Sequence, residues 1–259
     1  MKVSLLQYDI AWCSAEQNAK IVDNLVERVG ETDLLLLPEM WSTGFVMNPD
    51  GVAEADGGRS LEWMRLTAAR LDAAVAGSVA IRENDEYRNR FYFVRPDGSY
   101  DFYDKHHLFS YGGENRCYTP GQERRVVEWR GVRFLLLVCY DLRFPVFARC
   151  RDDYDAILLC ANWPVSRQHS WEVLLQARAM ENQSYVLASN RIGSDDMCEY
   201  QGGTMIVNPY GDILQRCPDQ MEAVVSMELD MEMLAAFRAK FPVLQDSDSF
   251  ICCGLSGRE

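Results

Sequence analysis

The chain of 259 residues predicts an α/β fold, with mixed sheets at the centre and helices on the outside. Two observations predict it. Strand-like apolar runs alternate with helix-like segments along the chain, and several of those runs are apolar almost throughout. Such runs belong to strands covered on both faces, or packed sheet against sheet.

Taken in order, KVSLLQYDI (2–10) reads as a strand. SAEQNAKIVDNLVERVG (14–30) follows as a helix, with Ser14 and Gln17 spaced as a capping box and Gly30 as its stop. TDLLLLP (32–38) is a strand of leucines halted by proline. VMNPDGVAEADGGRS (46–60) is the most loop-like stretch, expected over the surface or over a site. RSLEWMRLTAARLD (59–72) is a second helix and AAVAGSVAI (73–81) the next strand. NRFYFV and YDFYD, within 89–104, form a hairpin through the turn RPDGSY (95–100). VRFLLLVCY (132–140) and YDAILLCAN (154–162) are strands, and QHSWEVLLQARAMENQ (168–183) is a third helix. SYVLASNRI (184–192) and GTMIVNP (203–209) are strands, the latter turning at NPYGDIL (208–214). No stretch reads as a linker, so one domain over residues 1–259 is expected.

The net charge is −13, so neither nucleic acid nor an anionic membrane surface is an expected partner. A small anion is not excluded, because one local arginine can outweigh a distant field. No apolar run reaches the roughly 18 residues of a membrane span, and MKVSLLQYDIAW lacks the build of a signal peptide. A cytoplasmic location is expected. The nine cysteines are odd in number and scattered without a frame, so reduced thiols are expected. No metal or other cofactor is expected. There is no Cys-x-x-Cys pair, and Cys252 and Cys253 are adjacent, which is poor geometry for a tetrahedral site.

Polar or reactive residues stand where the strands run out. Glu39 follows LLLLP, Lys105 follows YDFYD, Cys139 follows FLLLV and Asn162 follows ILLCA. In open α/β sheets, ligands gather beyond the carboxyl ends of strands. A free cysteine is only a few per cent thiolate at neutral pH and needs a base or a cation beside it. The base could be His106 or His107, next to Lys105, or the carboxylate of Glu39. Lys105 and the backbone N–H of Tyr140 could then steady an oxyanion. Taken alone, Cys139 is as well explained by packing, since free cysteine is among the most buried residue types.

LLLLPEMWSTGF, YDKHHLF, GGE and VCYDLRFP together resemble the signatures of the nitrilase, or carbon–nitrogen hydrolase, superfamily. The likeness continues through NWP at Asn162, ARAMENQSYVLASNRIG from Ala177 and NPYG from Asn208, and so covers nearly the whole chain. It implies a four-layer α-β-β-α sandwich that pairs with another subunit as a homodimer or higher homo-oligomer. It also implies Glu39 as general base, Lys105 as oxyanion stabiliser, Cys139 as nucleophile and Glu114 as a second glutamate positioning lysine or substrate. CYDLRFP with NWP in a short chain resembles the ω-amidase branch, whose substrates are α-keto acid ω-amides such as α-ketoglutaramate and α-ketosuccinamate. Such a substrate carries a carboxylate. Arg143 and Arg167 are the candidate cations to hold it, with Phe45 against the carbon chain and Asn162 beside it. Arg143 has a structural alternative, holding Asp141 or a neighbouring strand end.

Three rivals stand beside this reading. The same chemistry could act on deaminated glutathione or N-carbamoyl amino acids. The fold could persist as a catalytically silent binding protein, although nothing would then require Glu39, Lys105 and Cys139 together. A metal-dependent hydrolase could use His106 and His107. The tail FPVLQDSDSFICCGLSGRE (241–259) offers no chemistry, and contact with a neighbouring subunit is its expected role.

Overall fold

Alternation of side chains along the strands builds two sheets that share one face. The computed structural model describes residues 1–248. The first sheet comprises β1 (Lys2–Gln7), β2 (Leu34–Leu36), the two-residue β3 (Glu54–Ala55), β4 (Ala74–Glu83), β5 (Glu86–Val94), β6 (Tyr100–Asp104) and β15 (Ala223–Glu228). Its order is β15-β1-β2-β4-β5-β6, with β3 paired to β4. The second comprises β7 (Val126–Trp129), β8 (Val132–Val138), β9 (Ala156–Ala161), β10 (Tyr185–Asn190), β13 (Met205–Val207) and β14 (Ile213–Arg216). Its order is β14-β13-β10-β9-β8-β7. A separate ribbon pairs β11 (Ile192–Ser194) with β12 (Glu199–Gln201).

Val3, Leu5, Leu36, Ala76, Phe91 and Phe93 pack into one buried cluster with Phe134, Leu136 and Leu158 of the second sheet. Their neighbours Leu6, Leu35, Leu37, Val75 and Tyr92 face the other way. They meet Val22 and Leu25 of α1 (Ala15–Val26), and Leu61, Met64 and Ala68 of α2 (Arg59–Leu71). On the far side, α4 (Gln168–Asn182) lays Trp171, Leu175 and Ala179 against the second sheet. The layers therefore run helix, sheet, sheet, helix. Each fully buried leucine contributes roughly 1.5–3 kcal/mol, so these clusters supply most of the drive to fold. The single turn α3 (Pro145–Ala148) follows β8, and α5 (Met231–Lys240) follows β15, sending Leu234 into the shared core.

Strand direction decides where the site forms. β1, β2 and β4 are mutually parallel, and two antiparallel steps make β6 run the same way as β4. In the other sheet β8, β9 and β10 are parallel. The chain thus leaves β2 and β6 at one end of the first sheet, and β8 and β9 at one end of the second.

The hairpin over 95–100 forms as expected, closed by Arg95 N–H to Ser99 O at 2.8 Å. The turn after β13 also forms. Three local expectations differ. The helix from Ser14 ends at Val26 rather than Gly30, and Ser14 makes no side-chain cap. Instead the buried Asn18 ties the entry, bonding the N–H and O of Ala11 and the O of Ser42. The strand over 184–192 breaks after Asn190, whose side chain accepts from Trp163 N–H and donates to Trp163 O and Gly202 O. Residues 249–259, with Cys252, Cys253 and most of the tail assigned to subunit contact, lie outside the described residues. The other seven cysteines are all free.

Candidate active site

Close backbone approaches deliver the strand-end side chains inward. Beyond β2, Leu37 N–H still bonds Ala76 O at 2.8 Å. Gly77 permits this, because a Cβ there would lie 2.8 Å from the Leu37 Cβ. The chain then turns at Met40, whose φ is 44°, and Glu39 is left wholly buried. Lys105 follows β6 directly, its N–H bonded to Asn89 O at 2.9 Å and its O accepting from Gly121 N–H at 3.0 Å. A Cβ on Gly121 would sit 2.1 Å from Asp104 O, so only glycine allows that loop to hold the lysine down.

Burying an ammonium and two carboxylates is costly unless each is paired and its remaining valences are met. Here they are. Lys105 Nζ donates to Glu39 Oε1 at 2.9 Å, and to Glu114 Oε1 and Oε2 at 3.1 and 2.9 Å. Asn89 Nδ2 donates to Glu39 Oε1 at 2.8 Å and to Glu114 Oε1 at 3.2 Å. Asn162 N–H caps Glu39 Oε2 at 2.9 Å, and Phe109 N–H caps Glu114 Oε2 at 2.6 Å. Burial pulls Lys105 down, but Glu114 and Glu39 more than reverse this and hold the ammonium charged well above the usual lysine value. Burial pushes Glu114 up, Glu39 adds to the rise and Lys105 opposes it.

Cys139 begins the turn Cys139–Arg143 with a φ of 46°, a left-handed backbone that costs an L-residue roughly 1–2 kcal/mol. Asp141 holds that bend. It accepts from Val138 N–H at 2.9 Å, Tyr103 hydroxyl at 2.9 Å and His107 N–H at 3.0 Å. The 2.8 Å contact between Asp141 Oδ1 and His107 Nδ1 assigns the ring proton to Nδ1. His106 Nδ1 meets Gly121 O at 2.7 Å and its ring stacks on Phe147, while His107 stacks on Phe144. Both histidines therefore brace the loop after Lys105 against the turn at Cys139.

Cys139 is partly exposed along a cavity wall, yet its sulfur is enclosed deeply enough for burial to dominate its protonation. Burial, then the Glu39 charge, push the thiol well above its usual value; Lys105 and the Asn162 N–H oppose them. The resting group is therefore a protonated thiol, and Glu39 lines the same cavity.

The cavity holds about 730 Å³, and Glu39, Lys105 and Cys139 all line it. Phe45, Tyr140, Asn162, Arg143 and Arg167 line it too. Glu114 stands behind Lys105, sealed from solvent. Lys105 Nζ lies 5.2 Å from the Phe45 ring centre. Arg143 stacks 4.9 Å above Trp163 and donates to Ser170 Oγ at 3.1 Å, rather than holding Asp141. Arg167 lies 5.2 Å over Phe109. Neither arginine has a carboxylate partner among the described residues. Asn162 spends its donors on Glu39, Nδ2 reaching Glu39 O at 2.8 Å, which makes it a brace for that carboxylate as well as part of the wall.

Sequence reasoning missed Asn89, the bracing role of Asp141 and the ribbon tip at Asp195–Cys198, which lines the mouth with Trp12 and Tyr111. The available signal for Asn89 was a polar residue opening the apolar run NRFYFV. Among the described residues no three His, Cys, Asp or Glu side chains are grouped to hold a metal. No helix among them is long and apolar enough to cross a membrane.

Known proteins resemble this chain over nearly their full lengths. The profile of the carbon–nitrogen hydrolase family matches residues 2–239. The omega-amidase YafV of Yersinia enterocolitica is 44% identical over 254 residues, covering 97% of this chain and 98% of that protein. The 2-oxoglutaramate amidase of Bacillus subtilis is 35% identical over 250 residues, covering 94% and 96%. A solved CN-hydrolase superfamily protein of Xanthomonas campestris, with an arsenic adduct in its active site, superposes with a TM-score of 0.94 at 39% identity, over 97% of this chain and 98% of that one. The chain belongs to the carbon–nitrogen hydrolase family and has the nitrilase fold.

Proposed function

We propose that this protein is a cysteine-dependent amidohydrolase that releases ammonia from the terminal amide of small α-keto acid ω-amides. The observation that carries the reading is the single cavity in which a protonated thiol, a carboxylate and a permanently charged ammonium are gathered. In the first half-reaction Glu39 takes the Cys139 proton as sulfur bonds to the amide carbon. Lys105 and the Tyr140 N–H, at the start of a turn where backbone donors lack internal acceptors, stabilise the resulting oxyanion. Glu39 passes the proton to nitrogen, the C–N bond breaks and ammonia leaves a thioester. A water then loses a proton to Glu39 and attacks the thioester carbon. The C–S bond breaks, the proton returns to sulfur and the acid departs. No cofactor enters this scheme. Glu114 acts from behind, fixing Lys105.

The substrate class follows from the two arginines. In a chain of net charge −13, Arg143 and Arg167 both line the cavity without a carboxylate partner among the described residues, which suits a carboxylate brought by the substrate. The names of the relatives from Yersinia enterocolitica and Bacillus subtilis favour the same class. A cytoplasmic, homo-oligomeric enzyme of one domain completes the proposal.

The test is ammonia release from α-ketoglutaramate, α-ketosuccinamate, deaminated glutathione, an N-carbamoyl amino acid and butyramide. The expected result is the highest kcat/KM on the two keto acid amides and at least tenfold less on butyramide, which lacks the carboxylate. Preference for deaminated glutathione or the carbamoyl compound would move the enzyme to another branch of the same chemistry. Silence on all five would leave a binding protein.

A further inference from the structure

Asn89 sits near the start of the apolar part of β5, with 1% of its surface exposed, and its side chain has no apolar function there. Its Nδ2 carries two hydrogens. Glu39 Oε1 and Glu114 Oε1 receive one each, at 2.8 and 3.2 Å. Its Oδ1 has no partner. A buried amide that leaves its acceptor unsatisfied is being held by its donor side.

We propose that Asn89 is a positioning residue that keeps Glu39 available as the base by occupying the place where Glu39 and Glu114 could otherwise share a proton. The inference rests on the amidohydrolase reading above and adds a requirement to it. Two carboxylates gathered round one ammonium have one negative charge in excess, and a pair so placed tends to hold a proton in common. A proton held that way would occupy Glu39 and prevent it from accepting one from Cys139. A primary amide prevents this, because it presents a hydrogen to each Oε1 and offers neither of them a lone pair. A hydroxyl could serve only one of them, and an aliphatic side chain neither. The titratable groups that feel the charge of Glu39 are Lys105, Glu114, Cys139, Tyr118 and Cys160. Lys105 remains charged across the working range, and the tyrosine and both thiols remain protonated, so the pair of glutamates is the part of the cluster that can take up a proton.

The experiment is the pH profile of kcat/KM for the wild type, Asn89→Leu and Asn89→Asp, with ammonia release from the best wild-type substrate as the readout. Asn89→Leu should move the acidic limb up by about one unit, roughly a tenfold loss on that limb, with KM changed less than twofold. Asn89→Asp donates one hydrogen when protonated and none when ionised, and it adds a third carboxyl to the cluster, so its acidic limb should move up at least as far as that of Asn89→Leu. Profiles of both variants that overlay the wild type, or that fall by a constant factor at every pH, would overturn the proposal. Where one variant fails to fold, as judged by circular dichroism and thermal melting, the other still decides. Failure of the parent reading looks different: the wild type itself would then release no ammonia, or Cys139→Ala would still do so.

Discussion

Two ionic clusters occupy opposite faces of the same strand pair, and they are built to different ends. Arg90 lies opposite Asp104 in the β5–β6 ladder, and the next residues outward, Asn89 and Lys105, are joined by a backbone hydrogen bond. Because side chains alternate, Arg90 and Asp104 point one way while Asn89 and Lys105 point the other. The guanidinium of Arg90 donates to Asp104 at 2.7 and 3.0 Å and to Glu83 at 2.9 Å, and it stacks 4.0 Å over Phe102. That cluster borders solvent through Glu83, which is 40% exposed, and does not line the cavity. The Lys105 cluster has no solvent-facing carboxylate, and it ends on the cavity beside a thiol. One cluster ties two strands together; the other, on the proposed mechanism, stores charge where charge develops during the reaction.

Substitutions can break this contrast at either end. The largest expected effect is Cys139→Ala, which should abolish turnover with the fold unchanged, since little volume is lost. Cys139→Ser should be nearly inactive, because a carboxylate is a poor base for an alcohol. The raised thiol also sets a pH signature. The ultraviolet absorbance of the thiolate, taken as wild type minus Cys139→Ala, should develop only above the ordinary thiol value of about 8.5. Appearance of that signal at neutral pH would contradict the enclosed, protonated resting state.

Next in size is Lys105→Ala, expected to lower kcat by roughly a hundredfold or more if the ammonium steadies an oxyanion. A change confined to KM would remove it from that role. The smallest effect on turnover belongs to Arg90→Met. Without the guanidinium, Asp104, Glu83 and Asp56 lose their shared cation, so stability should fall by about 3–5 kcal/mol. Thermal melting should drop by several degrees while kcat/KM of the folded protein stays within twofold. A large loss of kcat would show that the two clusters are one.

The sequence carried most of the frame and only part of the site, for a physical reason. VRFLLLV and AILLCA are strands by composition alone, and a strand that ends on a reactive residue announces itself. Glu39, Lys105, Cys139 and Asn162 were legible because each stands at such a junction. Asn89 was not, since its partners lie 50 and 25 residues away and nothing local marks them. Asp141 was quoted within VCYDLRFP, but its bonds to Tyr103 and His107 depend on two sheets meeting. The ribbon over the mouth lies almost wholly beyond the strand expected over 184–192, in a stretch that carried no expectation, and the break that sets it off falls where the Asn190 side chain bonds Trp163 and Gly202. The lost capping box at Ser14 teaches the same lesson. A long-range anchor, Asn18 on Ser42, outweighed a local pattern.

The left-handed backbone at Cys139 also limits what could ever replace the sulfur. In that region the β-carbon already crowds the neighbouring carbonyl, and a methyl branch on it makes the crowding worse. Serine can be built at this bend, whereas threonine and valine meet the backbone before they meet the substrate. The shape of one peptide unit therefore closes this pocket to secondary-alcohol chemistry, whatever base stands ready to activate it.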